Sequence, residues 1–207
     1  MIVLNTGLPL RLVVPMASKV FVDIGTCDFD SSIPLADSGW HGYMIEADPK
    51  YAEAMELKTS SYENVKVFNM AISDVDGRVP FITADPDEND PGNHWKRGMG
   101  HVTSESHAGH RMMEVEANHH FIGKRISVES CTLDTFISEQ KITSVDFMKI
   151  DVEGHEMNII KDYSWSVKPK LIKIEHGHSD KEAMQNILQD NGYLIYTERY
   201  DIYGILK

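Results

Sequence analysis

The chain is poor in cysteine. Among its 207 residues only Cys27 and Cys131 occur, too few for a disulfide framework and without the C-x-x-C spacing of a redox or zinc motif. We therefore expect a reducing compartment and a cytoplasmic protein. The N-terminal segment has no basic start, and glycine, proline and polar residues interrupt its apolar stretch, so it predicts neither a signal peptide nor a membrane span.

Basic residues are also scarce. Lysine and arginine number 20 against 32 acidic residues, the formal net charge is -12, and the longest basic tracts are Lys96-Arg97 and Lys124-Arg125. A phosphate-rich partner held by bulk electrostatics is therefore disfavoured, and we expect neither a nucleic acid nor a membrane as partner. The sequence has no internal repeat, no low-complexity tract and no G-x-G-x-x-G turn.

What the sequence does have is a regular alternation of strand-like and helix-like segments. The pattern predicts an α/β fold with a mostly parallel sheet covered by helices, and the length and the 42% apolar fraction fit one domain over residues 1–207. A third strand is expected over Asn64–Ser73. After the strand that ends in MKIDVEG, a helix is expected from His155 to Trp165.

The pattern fails between Ala84 and about Lys124. This excursion carries prolines, glycines and six of the ten histidines, namely His94, His101, His107, His110, His119 and His120. We expect a long surface excursion of the lid or binding-loop type, with solvated histidines rather than a structural metal site.

The stretch VFVDIGTCDFD, from Val20 to Asp30, has the composition of a buried strand that breaks at Gly25 and feeds a helix. This geometry lets backbone approach a nucleotide-like ligand at the carboxyl edge of a sheet. Glu46 ends the next strand, roughly twenty residues later, where an acid can accept hydrogen bonds from ribose hydroxyls. The segment Asn69–Ile72 would face an adenine ring at the third strand end.

Two acidic clusters follow later strands. MKIDVEGHE, from Met148 to Glu156, brings Asp151 and Glu153 to a strand end, and IEHGH brings Glu175, His176 and His178 to the next one. Titratable groups packed around such turns cost desolvation, which favours a ligand site over a purely structural role. We expect both clusters to open on one crevice.

In this order and spacing, the phrases VFVDIG, IEADP, NMAISDVDG, CTLDTF, MKIDVEGHE and IKIEHG resemble the FkbM-type family of S-adenosylmethionine-dependent methyltransferases. The resemblance covers roughly Val20 to Gly177. It implies a class I methyltransferase fold, Rossmann-like and three-layered, whose seven-stranded sheet is mostly parallel with one antiparallel strand. It also implies methylation of a hydroxyl on a sugar or other natural product. The donor site it implies consists of Asp23, Gly25, Thr26, Asp28, Glu46, Ala47, Asn69, Ala71, Ile72 and Asp151.

The chain departs from the family pattern at one position. The pattern continues D-x-G-x-x-x-G, and Phe29 stands where the second glycine is expected. This departure puts the approach of the first helix turn to the methionine part of the donor in question, although Asp28 could still hold its ammonium group.

Methyl transfer requires an aligned oxygen nucleophile and a group that removes its proton. We assign Asp151 to positioning the acceptor, with His155, His176 or His178 as candidate base. A less favoured alternative is a divalent metal, with the ligand set Asp151, Glu153, Glu175, His176 and His178.

Two other functional classes stay open at this point. A binding module that keeps the nucleotide fold without catalysis is motivated by Phe29. A nicotinamide-dependent oxidoreductase is weaker, because it expects the G-x-G-x-x-G turn that this chain lacks.

Overall fold

The structure is a computed structural model, and it describes residues 18–83, 96–103 and 123–207. Residues 1–17, 84–95 and 104–122 lie outside the described residues, and with them most of the histidine-rich excursion. The elements follow in the order β1 (Val20–Ile24), α1 (Ile33–Asp37), β2 (His41–Glu46), α2 (Pro49–Thr59), β3 (Val65–Asn69), β4 (Ala71–Ser73), β5 (Gly77–Ile82), β6 (His101–Val102), β7 (Arg125–Thr132), α3 (Leu133–Glu139), β8 (Phe147–Ile150), α4 (Glu156–Ile160), β9 (Leu171–Glu175), α5 (Lys181–Asp190), β10 (Tyr193–Thr197) and β11 (Asp201–Leu206).

Seven strands form the main sheet, in the order β10-β11-β9-β8-β1-β2-β3. All neighbours pair in parallel except at β11, which is antiparallel to both β9 and β10. The predicted α/β fold with one antiparallel strand near the C-terminus is therefore confirmed. Since β1 lies between β2 and β8, the carboxyl ends of these three strands meet at one edge of the sheet.

The core of this sheet is formed by strands that are buried on both faces. Val22 and Ile24 of β1 and Met148 and Ile150 of β8 are at most 1% exposed, and Phe136 of α3 packs in the same cluster. Burial on both faces explains why these strands are continuous apolar runs in the sequence. Each such side chain contributes roughly 1.5–3 kcal/mol to folding through its removal from water.

A second sheet was not predicted. It has the order β4-β7-β5-β6, with β4 parallel to β7 and the other pairs antiparallel. The prediction of one strand over Asn64–Ser73 was wrong, because the chain turns at Met70, whose N–H donates to Glu46 O at 3.1 Å. The residues after this turn leave the main sheet and pair with β7.

The phrases NMAISDVDG and CTLDTF join the second sheet to α3. Asp76 accepts hydrogen bonds from Thr132 N at 2.9 Å and from Thr135 Oγ1 at 3.2 Å. Thr132 also caps α3, because its hydroxyl accepts from Thr135 N at 3.1 Å. The side chains of Asp76, Thr132 and Thr135 therefore stabilise this junction in the fold.

Two further expectations are corrected. The helix predicted from His155 to Trp165 ends at Ile160, since Ser164 N donates to Asp134 at 2.9 Å and holds the following residues in another conformation. Residues 96–103 of the excursion belong partly to the second sheet, where His101 is 2% exposed rather than solvated. In the described part of the chain no helix is long and apolar enough to cross a membrane.

Candidate functional site

A pocket lies at the carboxyl ends of β1, β2 and β8. The second sheet supplies its opposite wall, through Phe81 and Val102 and the glycines that precede β6. Of the ten predicted donor-site residues, six line this pocket: Gly25, Glu46, Ala47, Ala71, Ile72 and Asp151. The two sheets thus enclose the place where the sequence predicted a nucleotide-like ligand.

Gly25 makes the turn from β1 possible. It has a φ of 79°, and a Cβ at this position would lie 1.8 Å from the carbonyl oxygen of Asp151. Its N–H and that of Thr26 both donate to Ile45 O, at 2.9 and 3.2 Å. Only glycine combines this backbone conformation with so close an approach of two strand ends.

Glu46 is held rigidly in the pocket wall. One carboxylate oxygen accepts from Cys27 N at 2.6 Å and the other from Asp48 N at 2.8 Å, while the residue is 7% exposed. Burial raises its pKa from 4.5 to about 7, against the two backbone hydrogen bonds that lower it. Each oxygen keeps a further lone pair, so the carboxylate can accept two more hydrogen bonds from a vicinal diol.

A buried ion network lies behind the pocket wall. Lys149 contacts Asp23 Oδ1 at 3.2 Å, Asp151 Oδ2 at 3.3 Å and Gly25 O at 2.9 Å, and Asp23 also accepts from Ser32 Oγ. The nearby carboxylates raise the pKa of Lys149 despite its burial, so the ammonium is charged. Asp23 is fully buried in this network and does not line the pocket, which gives it an indirect role.

Three other predicted donor residues also lie off the pocket wall. Thr26 is fully buried, and Asn69 Nδ2 donates to the carbonyls of Glu46 and Ala47 at 3.0 and 3.2 Å. Asp28 forms an ion pair with Arg97, which itself lines the pocket. These side chains support the wall from behind or beside it.

The turn after β8 is shaped by Glu156. Its Oε1 accepts from the N–H groups of Val152 and Gly154 at 3.0 and 3.1 Å, and its Oε2 accepts from Ser179 Oγ at 2.7 Å. The turn places Glu153 at a φ of 55° and among the residues that line the pocket. Glu156, the last residue of MKIDVEGHE, thus holds the turn that presents Asp151 and Glu153 together.

Glu153, Glu175 and His178 form a cluster beside the pocket. Their ligand atoms lie within 4.8 Å of one another, and His178 Nε2 is 3.5 Å from Glu153 Oε2. Burial and neighbouring carboxylates raise the pKa of Glu153 well above 4.5 and that of Glu175 to about 8. Three of the five residues of the alternative metal set are therefore brought together, whereas Asp151 and His176 are not part of this group.

The candidate bases do not line the pocket. His155 is 3% exposed with Nε2 at 2.9 Å from Ser73 Oγ, and burial lowers its pKa to about 4. His176 turns to the hairpin between β10 and β11, with its Nε2 3.4 Å from Glu198 O. His178 is not among the lining residues and contacts Glu153, which is. Of the four residues predicted to be catalytic, only Asp151 is in the wall.

Sequence reasoning missed Arg97 and Lys149 as parts of the site, whereas it placed Glu153 at the strand end that opens on the crevice. Arg97 lies over the Phe29 ring, with Cζ 4.7 Å from the ring centroid, and its Nε is 3.0 Å from Asp28 Oδ1. Lys149 carried a signal, since a lysine inside the buried run FMKI needs an acidic partner on the neighbouring strand. Arg97 carried none, because it falls in the irregular excursion.

The strand order, the glycine turn and the buried acid at the second strand end are those of a class I S-adenosylmethionine-dependent methyltransferase. The chain belongs to the family described as the methyltransferase FkbM domain, whose model matches residues 23–195. The suspected family is therefore confirmed, and with it an enzyme class that uses S-adenosylmethionine.

Similar proteins agree with this assignment. The 2-O-methyltransferase NoeI of Sinorhizobium fredii is 27% identical over 147 residues, which is 70% of this chain and 56% of that protein. The chain thus spans about half the length of this curated relative. The crystal structure of methyltransferase FkbM from Methylobacillus flagellatus matches 90% of this chain and 43% of that one, at 16% identity and a TM-score of 0.54.

Proposed function

We propose that the protein methylates a hydroxyl group of a sugar or another small-molecule natural product. The observation that carries this proposal is the pair Asp151 and Glu153, which line one pocket with Glu46. That a relative is named a 2-O-methyltransferase supports an oxygen acceptor. When bound, the donor supplies a methyl group on a positively charged sulfur, which is already activated for transfer.

The residues present fit this donor. The carboxylate of Glu46 suits the two ribose hydroxyls, and the apolar side chains of Ala71 and Ile72 suit an adenine ring. On this placement Gly25 and Asp151 border the sulfur end, because they lie at the ends of the adjacent strands β1 and β8. The carboxylates in the wall favour a cationic ligand.

Asp151 is well placed to orient the acceptor hydroxyl, since Lys149 fixes its carboxylate from behind. Glu153 is the residue we assign to proton removal. With the donor bound, the Glu153 carboxylate would accept the hydroxyl proton as the methyl group passes from the sulfur, which leaves as a neutral thioether, to the acceptor oxygen. Burial and the neighbouring carboxylates, which raise the pKa of Glu153, also make its ionised form a stronger base.

A metal-assisted version of the same reaction is the second candidate. It rests on the ligand atoms of Glu153, Glu175 and His178, which lie close enough to share one ion. Carboxylate oxygens and imidazole suit Mg²⁺, Mn²⁺ or Zn²⁺, any of which would lower the pKa of a bound hydroxyl.

The test is methyl transfer to a panel of mono- and oligosaccharides and hydroxylated natural products, with the site of methylation determined by NMR. We expect a methyl ether. Asp151→Asn and Glu153→Gln should lower kcat on the order of 10²-fold or more, while the calorimetric Kd for S-adenosylhomocysteine changes little. Methylation of nitrogen or carbon, or full kcat in both variants, would overturn the proposal.

The two versions separate in a second experiment. With EDTA present, proton transfer to Glu153 alone predicts unchanged kcat and little effect of His178→Gln. The metal-assisted version predicts loss with EDTA, recovery with one divalent ion, and failure of recovery in His178→Gln. The exposed His41→Gln is the matched control.

A further inference from the structure

We propose that Arg97 binds the carboxylate of the donor's amino-acid end, and that Phe29 and Asp28 hold its guanidinium in place for this task. The inference rests on the donor assignment of the pocket, and it assigns a binding role to the position where the family pattern has glycine. Arg97 is a specificity-determining residue for the amino-acid end of the donor.

The charge of the pocket is the first argument. Its described lining contains the carboxyl groups of Glu46, Asp48, Asp151 and Glu153, and Arg97 is the only lysine or arginine among the lining residues. The donor carries a carboxylate as well as its two positive groups. Because the ionised acids of the described lining would repel this carboxylate, the favourable partners for it there are Arg97 and backbone N–H groups.

Four backbone amides of the loop after β1 already have hydrogen-bond acceptors within the protein. Gly25 N and Thr26 N donate to Ile45 O, Cys27 N donates to Glu46 and Phe29 N donates to Thr26 O. These amides are committed to holding the turn and the ribose-binding carboxylate. An arginine side chain is therefore the better candidate for the donor's carboxylate.

Three contacts fix Arg97 on that loop. The guanidinium lies over the Phe29 ring, its Nε pairs with Asp28 at 3.0 Å, and the Cys27 thiol donates to the Arg97 carbonyl at 3.7 Å. The next residue, Gly98, passes so close that a Cβ there would lie 3.1 Å from the Phe29 ring. Such a held, planar guanidinium loses little freedom on binding a carboxylate.

This arrangement explains why phenylalanine stands at position 29, where the family pattern has glycine. A glycine at that position would leave the guanidinium without an aromatic surface, and the contact between residues 97–98 and the loop would be lost. With the ring present, Arg97 is partly desolvated, with 33% of its side chain exposed, which strengthens a charge-assisted hydrogen bond.

Calorimetry with two nucleosides tests the inference. S-adenosylhomocysteine has the amino-acid end, and 5′-methylthioadenosine has the same adenosine and thioether without it. We expect Arg97→Met to weaken S-adenosylhomocysteine binding on the order of ten- to a hundredfold and to leave 5′-methylthioadenosine binding within twofold. Phe29→Leu should weaken only S-adenosylhomocysteine, by a smaller factor.

Arg199→Met is the matched control, since Arg199 also lies over an aromatic ring, that of Tyr200 at 4.8 Å, in the hairpin between β10 and β11. It should change neither affinity. Equal weakening of both nucleosides in Arg97→Met, with unchanged thermal unfolding, would show a general wall role and overturn the inference. So would unchanged S-adenosylhomocysteine affinity, as expected if Arg97 contacts an anionic acceptor. Both nucleosides bind without an acceptor, so failure here is distinct from failure of the proposed hydroxyl methylation.

Discussion

The pKa of Glu46 is subject to two opposing influences. The carboxyl group is buried, which favours its neutral form, and it accepts two backbone hydrogen bonds, which favour its ionised form. Burial prevails and sets the pKa near 7. The group therefore changes charge within the physiological pH range, at the point where a ribose would bind.

Donor affinity should follow this titration. On the proposed donor placement the ionised carboxylate accepts from the ribose hydroxyls. The affinity for 5′-methylthioadenosine, which has no titrating amine, should then fall as the pH is lowered from 8 to 6, by up to about tenfold per pH unit below the pKa. Glu46→Gln should bind more weakly and without this slope, as calorimetry at several pH values will measure. The exposed Glu53→Gln should keep the slope. A flat wild-type profile would contradict the expectation.

At this scale the sequence predicted the wall residues well where a strand ends and less well inside a strand. Gly25, Glu46 and Asp151 occupy strand ends, and all three line the pocket. Asp23 lies inside β1, and its side chain is engaged by Lys149, which stands opposite it in the register of β1 and β8. A neighbour 126 positions away along the chain cannot be read from local pattern.

Lys149 connects two elements. It links β1 to β8 through Asp23, and it reaches the turns after both strands through Gly25 and Asp151. All three contacts lie at the edge that forms the pocket. The ion network therefore fixes the spacing of two strand ends. Its loss should lower the stability of the fold and weaken ligand binding.

Lys149→Met should lower the free energy of unfolding by about 3–5 kcal/mol, because it leaves the Asp23 carboxylate buried without its cation. Denaturant unfolding measures this loss. Combining it with Asp23→Asn should recover part of the loss, as expected for coupled partners. Lys66→Met, on the exposed side of β3, is the control and should change stability little. A loss below about 1 kcal/mol in Lys149→Met would contradict this reading.

The second sheet is the element that sequence reasoning missed. Two of its strands, β4 and β6, have only three and two residues, and β4 pairs with β7 some sixty residues later, as Ala71 with Ser130. The run NVKVFNMAIS has no glycine or proline to mark the turn at Met70, so it suggests one continuous strand. Non-local pairing of this kind leaves no local periodicity.

For the molecule as a whole, acidification acts through buried groups of opposite sign. The folded pKa of His155 is lowered to about 4, so its contribution to stability is complete above its unfolded value of 6.5 and is lost as the pH falls towards 4. Glu46, with its raised pKa, loses stability in the other direction as the pH rises from 4.5 to about 7. The two effects oppose each other over the same interval.

The contribution of His155 to the pH dependence of stability is measured by comparing the wild type with His155→Asn. Between pH 7 and 4 the wild type should lose up to about 3 kcal/mol relative to His155→Asn, because burial disfavours the imidazolium only in the folded state. Chemical unfolding across this range measures the difference. His41→Asn, at an exposed position, should run parallel to the wild type. A constant difference between wild type and His155→Asn would refute the assignment.

The contact between Cys27 and the Arg97 carbonyl makes the alkylation rate of the Cys27 thiol a measure of the movement of residues 97–98. The thiol is 5% exposed and burial raises its pKa, so an alkylating reagent meets an unreactive, shielded sulfur while residues 97–98 rest on the loop. Each departure of that segment would uncover the sulfur. The rate of Cys27 labelling can be followed by mass spectrometry, with the buried Cys131 as internal reference. This rate reports how often residues 97–98 leave the loop at the mouth of the pocket. Its slowing by ligand would give the opening frequency of the complex without any knowledge of the acceptor.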